Sequence, residues 1–131
     1  MGINSTEVVY NFGQLGSVFT DSTTTAITPP TGKVFVAITM LADITFDTSG
    51  GLVADNDSDN GLEYVGTIFA RDADGTVNDA AHDESSSTAT LGSGGTVVDV
   101  SNTFPKGITI YGRWTQIGLA SGGPIIAYIG D

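Results

Sequence analysis

The amino-acid sequence predicts an all-β protein, folded as a single-domain antiparallel β-sandwich or jelly-roll-like structure of about seven to eight short strands. Composition is the first indication, because the 131 residues include 18 Gly, 18 Thr and 11 Ser, while strong helix formers are scarce. The second is a long period-two alternation of apolar residues. The third is the short spacing of Gly and Pro turn signals along the chain.

The clearest strand is predicted over residues 33–46. One face of this strand would carry Val34, Val36, Ile38, Met40, Ala42, Ile44 and Phe46. The opposite face begins with Phe35 and Ala37 and becomes polar towards Asp43. A segment that is apolar on both faces over its first half belongs in the centre of a sheet.

Further strands are predicted over residues 7–12, 17–20, 62–71, 96–101, 108–116 and 125–129. Turn signals separate them at residues 13–16, 29–32, 49–51, 74–75, 92–95, 105–107 and 122–124. Residues 72–95 form a long polar stretch, which predicts a long loop.

The chain divides into two predicted parts. Residues 1–32 have weak alternation and end in Pro29-Pro30, which indicates an N-terminal arm or a set of peripheral strands. Residues 33–131 are predicted to form the core domain.

Charge and cysteine content exclude several classes of function. A net charge of -11 disfavours binding to nucleic acid and to anionic membranes. The absence of cysteine excludes disulfides and thiolate chemistry. No secretory leader or apolar membrane span is present in the sequence, so we expect synthesis in the cytoplasm.

Acidic residues are concentrated between Asp43 and Glu84, which hold eleven of the fifteen. Asp55, Asp57 and Asp59 alternate before Gly61, as oxygen ligands do at the start of a calcium loop, and Glu63 could complete the shell. At the two loop positions where an EF-hand requires glycine and glutamate, this sequence has other residues. A solvated turn rich in Asp and Asn is the alternative interpretation.

Catalysis is not expected. His82 is the single histidine, and it lies in the least patterned segment of the chain. No Gly-x-Ser-x-Gly elbow accompanies it, and the carboxylates fall on turns, where they bond to neighbouring amides. The chain is therefore predicted to be a non-enzymatic protein without a cofactor, with calcium as the one alternative.

The C-terminal strands carry an aromatic set, Tyr111, Trp114 and Tyr128, with Arg113 beside Trp114. The face formed by Tyr111, Arg113 and neighbouring threonines suits a protein contact, because Tyr and Arg are enriched in interfaces. A carbohydrate platform and a half-solvated sheet face are the alternatives.

Residues 103–115, Thr-Phe-Pro-Lys-Gly-Ile-Thr-Ile-Tyr-Gly-Arg-Trp-Thr, together with residues 125–130, resemble small virion structural proteins of tailed bacteriophages, particularly marine ones. Residues 29–40 are similar to the same group. The resemblance covers about a third of the chain and contains no catalytic signature. It implies a decoration or cement protein bound outside the major capsid protein shell of the virion head.

These observations lead to one expected function and two alternatives. We expect a capsid decoration protein that stabilises contacts between major capsid protein subunits, as a homo-oligomer (trimer or dimer). Its expected contact residues are Tyr111 and Arg113 on the sheet, with Tyr10, Phe12 and Phe19 in the N-terminal part. The alternatives are a carbohydrate or host-surface adhesion module, with calcium as its ion, and a tail or head–tail connector component.

Overall fold

The computed structural model describes residues 15–55, 65–66 and 98–131. Within these residues the chain forms seven β-strands and no helix. The strands are β1 (Ser17–Thr20), β2 (Val34–Met40), β3 (Thr45–Phe46), β4 (Leu52–Ala54), β5 (Thr109–Ile117), β6 (Leu119–Ser121) and β7 (Ile125–Gly130). They form a five-stranded sheet in the order β1-β7-β2-β5-β4 and a two-stranded sheet of β3 and β6. Every pairing is antiparallel, so the predicted all-β antiparallel fold is confirmed.

Strand β2 lies at the centre of the larger sheet, between β7 and β5. Its residues are mostly β-branched or aromatic, and it is buried at Val34, Phe35, Ala37 and Ile38 as well as at Met40. Burial on both faces is what the sequence predicts for this segment, because only a central strand is covered on both sides.

One hydrophobic core joins the two sheets. Phe35, Ile38 and Met40 from β2 pack in the same cluster as Phe46 of β3 and Leu119 of β6. The rings of Phe46 and Phe104 meet edge to face, with centroids 5.2 Å apart. Because both sheets contribute fully buried side chains to this cluster, burial of apolar area holds them together.

The predicted alternation along β2 is wrong at Val36. The register of β2 against both neighbours shifts between Phe35 and Ala37, as at a β-bulge. Phe35 consequently shares the core with Ile38, whereas regular alternation would have placed Val36 there. A bulge changes which side of the strand each preceding residue faces, and the local sequence gives no sign of it.

The single strand predicted over residues 33–46 is also wrong. Strand β2 ends at Met40, and β3 begins at Thr45 in the other sheet. Between them, an Asp43 side-chain oxygen accepts a hydrogen bond from the Lys106 amide. Ile44 and Phe104 then exchange two backbone hydrogen bonds. These partners come from distant positions in the chain, and they direct the segment from one sheet to the other.

The other strand predictions vary in outcome. Residues 17–20, 108–116 and 125–129 correspond closely to β1, β5 and β7. Residues 98–101, the described part of a predicted strand, form a turn in which Asp99 accepts hydrogen bonds from the amide and hydroxyl of Ser101. Strands β4 and β6 were not predicted. The strands predicted over residues 7–12 and 62–71 lie outside the described residues, except for Val65 and Gly66.

The turn predicted at residues 122–124 connects β6 to β7 and carries the chain back to the larger sheet. Gly122 has a φ of 82°, and a β-carbon there would lie 2.1 Å from the carbonyl oxygen of Asp43. Glycine is required at this position on both counts, because other residues disfavour positive φ and no side chain fits against that carbonyl.

Candidate functional site

The surface of the five-stranded sheet turned away from the core is the candidate functional site. Residues paired across neighbouring strands point to the same side of a sheet, so the registers define this surface. It includes two rows that cross β1, β7, β2 and β5: Ser17, Tyr128, Ala37 and Tyr111 in one row, and Phe19, Ile126, Thr39 and Thr109 in the other. We call these eight residues the outer face.

Burial confirms that the two sides of the sheet differ. On the inner side of β7, Ile125 and Ala127 are completely buried, whereas Ile126 and Tyr128, which alternate with them, are only half-buried. On the outer face, Phe19 is 59% exposed and Tyr111 is 66% exposed. Exposed aromatic side chains on a sheet surface with further apolar residues are typical of contact surfaces, so the outer face is a candidate contact surface.

The centre of the outer face is shallow. Ala37 is only 2% exposed, and Tyr111 and Tyr128 lie opposite it on the two neighbouring strands. In the second row the hydroxyls of Thr39 and Thr109 are 2.9 Å apart and share a hydrogen bond. Phe19 and Tyr111, the exposed aromatic side chains of the face, therefore stand at diagonally opposite corners of the two rows.

None of the eight residues of the outer face is charged, although the chain as a whole carries a net charge of -11. Tyr, Thr, Phe and Ile side chains offer apolar contact and neutral hydrogen bonds, and a charged side chain, Arg113, stands two residues after Tyr111 on β5.

Arg113 was predicted as a contact residue together with Tyr111, and it is engaged within the chain. Its Nε and one terminal nitrogen both lie 3.1 Å from an Asp55 carboxylate oxygen. Its other terminal nitrogen donates to the carbonyl of Asp131 at 2.7 Å, and the Asp131 carboxylate pairs with Lys33. These bonds connect the ends of β4 and β7 to β5, which gives Arg113 a structural role.

Asp55 is the one predicted calcium ligand within the described residues, since Asp57, Asp59 and Glu63 lie outside them. A cation at Asp55 would have to share this carboxylate with the Arg113 guanidinium. In the described part of the chain, no group of three or more His, Asp or Glu side chains could hold a metal ion. The calcium loop stays a prediction.

The remaining predicted positions fall in two groups. Phe19 and Tyr111, from opposite ends of the sequence, are brought onto one surface. Tyr10, Phe12 and His82 lie outside the described residues.

Trp114 belongs to the core. It is completely buried, and its indole Nε1 donates to the carbonyl of Val65 at 2.6 Å. A surface platform built on this tryptophan, as the adhesion alternative requires, is therefore not formed.

Sequence analysis placed Tyr128 in the aromatic set but not among the contact residues, and it did not identify Ile126 and Thr39. Their strands are apolar on both sides, so alternation alone does not show which side faces the core. One feature of the sequence does distinguish two of these positions. Thr39 and Tyr128 carry hydroxyl groups, whereas their neighbours in the strands are mostly aliphatic.

The chain matches no protein-family model, and comparison with curated proteins and with solved structures finds no match. The described residues contain no helix of the length and apolar character needed to cross a membrane.

Proposed function

We propose that this protein is a non-enzymatic capsid decoration (cement) protein, which binds outside a tailed-phage head and stabilises contacts between major capsid protein subunits. The observation that carries the proposal is the outer face, an uncharged and partly aromatic surface on a chain of net charge -11. Such a surface provides contact with protein neighbours on a particle, while the acidic remainder of the chain keeps the particle soluble.

The resemblance to virion structural proteins supports the same proposal. Residues 29–40, 103–115 and 125–130 carry that resemblance, and they include β2, most of β5 and β7. These are three of the four strands that form the outer face. The resemblance therefore covers the part of the molecule that provides the candidate contact surface.

The proposed mechanism needs no strong individual contact. The antiparallel sheet holds the backbone at Phe19 and Tyr111 in place, so little backbone freedom is lost on binding. When many copies bind one shell, modest contacts act together and make the coat stable.

The test uses heads prepared without the protein. Purified protein is added, bound copies are counted by quantitative mass spectrometry, and the temperature of head rupture is measured. We expect hundreds of bound copies and a higher rupture temperature. A lack of binding, or binding without a change in rupture temperature, would refute the proposal.

The same experiment separates the alternatives. A tail or connector component would be present in about a dozen copies or fewer per virion, at one vertex. An adhesion module would bind glycans, and with Trp114 buried the exposed aromatic side chains that the described residues offer for it are Tyr111 and Phe19. Tyr111→Ala would then abolish glycan binding and leave binding to heads unchanged.

A further inference from the structure

One edge of the larger sheet runs along β1, the first strand in the order β1-β7-β2-β5-β4. Just before this strand, the amide of Ile129 donates to the carbonyl of Gly16 at 2.9 Å. Hydrogen-bonded pairs alternate with other pairs in an antiparallel ladder, so Val18 is the next residue whose backbone bonds to β7. The N–H and C=O groups of Ser17 and Phe19 therefore point away from β7, towards an edge where no other strand of the described residues lies.

This edge exposes apolar surface as well as backbone groups. On the outer face, Phe19 is 59% exposed. On the opposite side of the strand, Val18 packs against the hydrophobic core but is only partly buried. Natural proteins usually cover such an edge, because its unpaired backbone groups pair readily with a further strand. The edge of β1 fits an extended segment whose apolar side chains lie on the core side, beside Val18.

The chain turns immediately before β1. Leu15 lies in a turn, and Gly16 has a φ of 108°, a conformation that glycine adopts readily. A turn followed by a left-handed residue is the usual three-residue connection of a β-hairpin. Such a connection, with its loop at residues 14–16, returns the preceding residues alongside β1. Because β7 already occupies one edge of β1, only the other edge can receive them.

The residues before this turn have the alternation of an edge strand. Over residues 7–12, two sets of side chains alternate: Val8, Tyr10 and Phe12 in one, and Glu7, Val9 and Asn11 in the other. A loop at residues 14–16 brings Phe12 opposite Val18 and Asn11 opposite Phe19. The aromatic set then faces the core side, and the set with the carboxylate and the amide faces outwards, as in a half-buried strand.

We propose that residues 7–12 add a sixth strand to the larger sheet of the same chain, antiparallel to β1, with Asn11 opposite Phe19. These two residues exchange two backbone hydrogen bonds, and Phe12 lies beside Val18 at the margin of the core. With the edge covered, a partner cannot add a strand at β1. The proposal goes beyond the proposed function and does not depend on it. It assigns Tyr10 and Phe12, expected from the sequence to be contact residues, to the core side of the sheet.

The first test is cross-linking within the chain, which contains no cysteine of its own. Asn11→Cys with Phe19→Cys places thiols at opposed positions, where the α-carbons are about 5.5 Å apart and a disulfide can form. Tyr10→Cys with Phe19→Cys is the matched control, because in this register the two β-carbons lie on opposite sides of the sheet. After mild oxidation of dilute protein, we expect a disulfide within one chain for the first pair and free thiols for the control. Non-reducing electrophoresis and mass spectrometry measure both, and Trp114 fluorescence establishes that each variant is folded.

The second test is amide hydrogen exchange, followed by NMR. In the wild type we expect the Phe19 amide to exchange roughly a hundredfold more slowly than in an unfolded chain, because it donates to the Asn11 carbonyl. Asn11→Pro removes the second hydrogen bond of this pair and should return the Phe19 amide to fast exchange. The Val18 amide is the internal control, since it bonds to β7 and should remain protected in both proteins.

The proposal requires both results. A Phe19 amide that exchanges freely in the wild type would show that the edge is open. A disulfide that forms as readily in the control pair, or in neither pair, would overturn the register. A disulfide that joins two chains would overturn the proposal by assigning the segment to a neighbouring copy. None of these measurements uses heads, so each outcome bears on the sixth strand alone and not on the decoration role.

Discussion

Replacing Gly112 with alanine places a methyl group against the indole ring of Trp114. A β-carbon at residue 112 would lie 2.8 Å from Cζ2 and 2.9 Å from Cη2 of that ring, closer than carbon atoms can approach. The ring cannot turn aside easily, because it is completely buried and its Nε1 is hydrogen-bonded to the Val65 carbonyl at 2.6 Å. Either β5 or the tryptophan must move.

The size of the effect follows from these contacts. Overpacking of a well-filled core costs about 1–3 kcal/mol. Loss of the indole hydrogen bond would add about 1 kcal/mol. We therefore expect Gly112→Ala to lower the free energy of unfolding by about 2–4 kcal/mol, which corresponds to roughly 8–16 °C in Tm for a domain of this size.

The assay is urea unfolding followed by fluorescence, since Trp114 is the single tryptophan of the chain. Gly118→Ala is the matched control, because the nearest atom to a β-carbon at residue 118 is the Asp47 Oδ2 at 3.4 Å, an ordinary contact. We expect the control to stay within about 0.5 kcal/mol of wild type. If Gly112→Ala matched the control in stability and kept the wild-type emission spectrum, the described packing of Trp114 would be refuted.

Three further predictions concern other parts of the fold. Gly51→Ala should destabilise the protein by more than about 2 kcal/mol in urea unfolding, because a β-carbon there would lie 2.2 Å from the backbone nitrogen and oxygen of Asp47; a loss below about 0.5 kcal/mol would contradict this packing. Ile38→Ala should cost about 2–5 kcal/mol and Ile38→Val about 1 kcal/mol, since Ile38 is completely buried; equal losses would show that the site collapses around either residue. Hydrogen bonds from the amide and hydroxyl of Ser101 lower the pKa of Asp99 below its ordinary value of 3.8, so this carboxylate stabilises the fold above that pH and loses its contribution as the pH falls further. The difference in urea midpoint between wild type and Asp99→Asn should accordingly narrow as the pH falls below 3.8, and a difference that stayed constant would argue against this role.

The strands that the sequence predicts well have a common property. β1, β5 and β7 lie between strong turn signals, such as residues 105–107 before β5 and residues 122–124 before β7. In these segments the residues favour a strand and the flanking residues favour turns. The bounds of the strands can therefore be predicted from residues close together in the chain. β4 and β6 have only three residues each, which is too short for a periodic pattern to be recognised.

The errors within residues 33–46 have a different origin. The apolar alternation is regular in the sequence, yet β2 contains a register shift near Val36 and ends at Met40. Both features depend on partners far away in the chain: β5 and β7 at the shift, and Phe104 and Lys106 beyond the end of the strand. Sequence patterns report on neighbours within a few residues, and such partners are not among them.

The candidate site also has one part that the sequence predicts and one part that depends on contacts between distant segments. Tyr111 was predicted from its residue type, because Tyr is enriched in interfaces, and Phe19 from its place in the N-terminal part of the chain. Their position on one surface depends on the strand order β1-β7-β2-β5. This order places β1, which carries Phe19, and β5, which carries Tyr111, in the same sheet.

The sequence by itself determined the all-β class, the acidic and cysteine-free character of the chain, and most of the longer strands of the described part. These properties follow from composition and from interactions between residues close together in the chain. Only the tertiary structure decided which side of each apolar strand faces the core, that Trp114 is buried, and that Arg113 is held by Asp55 and Asp131. Those outcomes depend on strand order and register, which are set by packing between segments distant in the sequence.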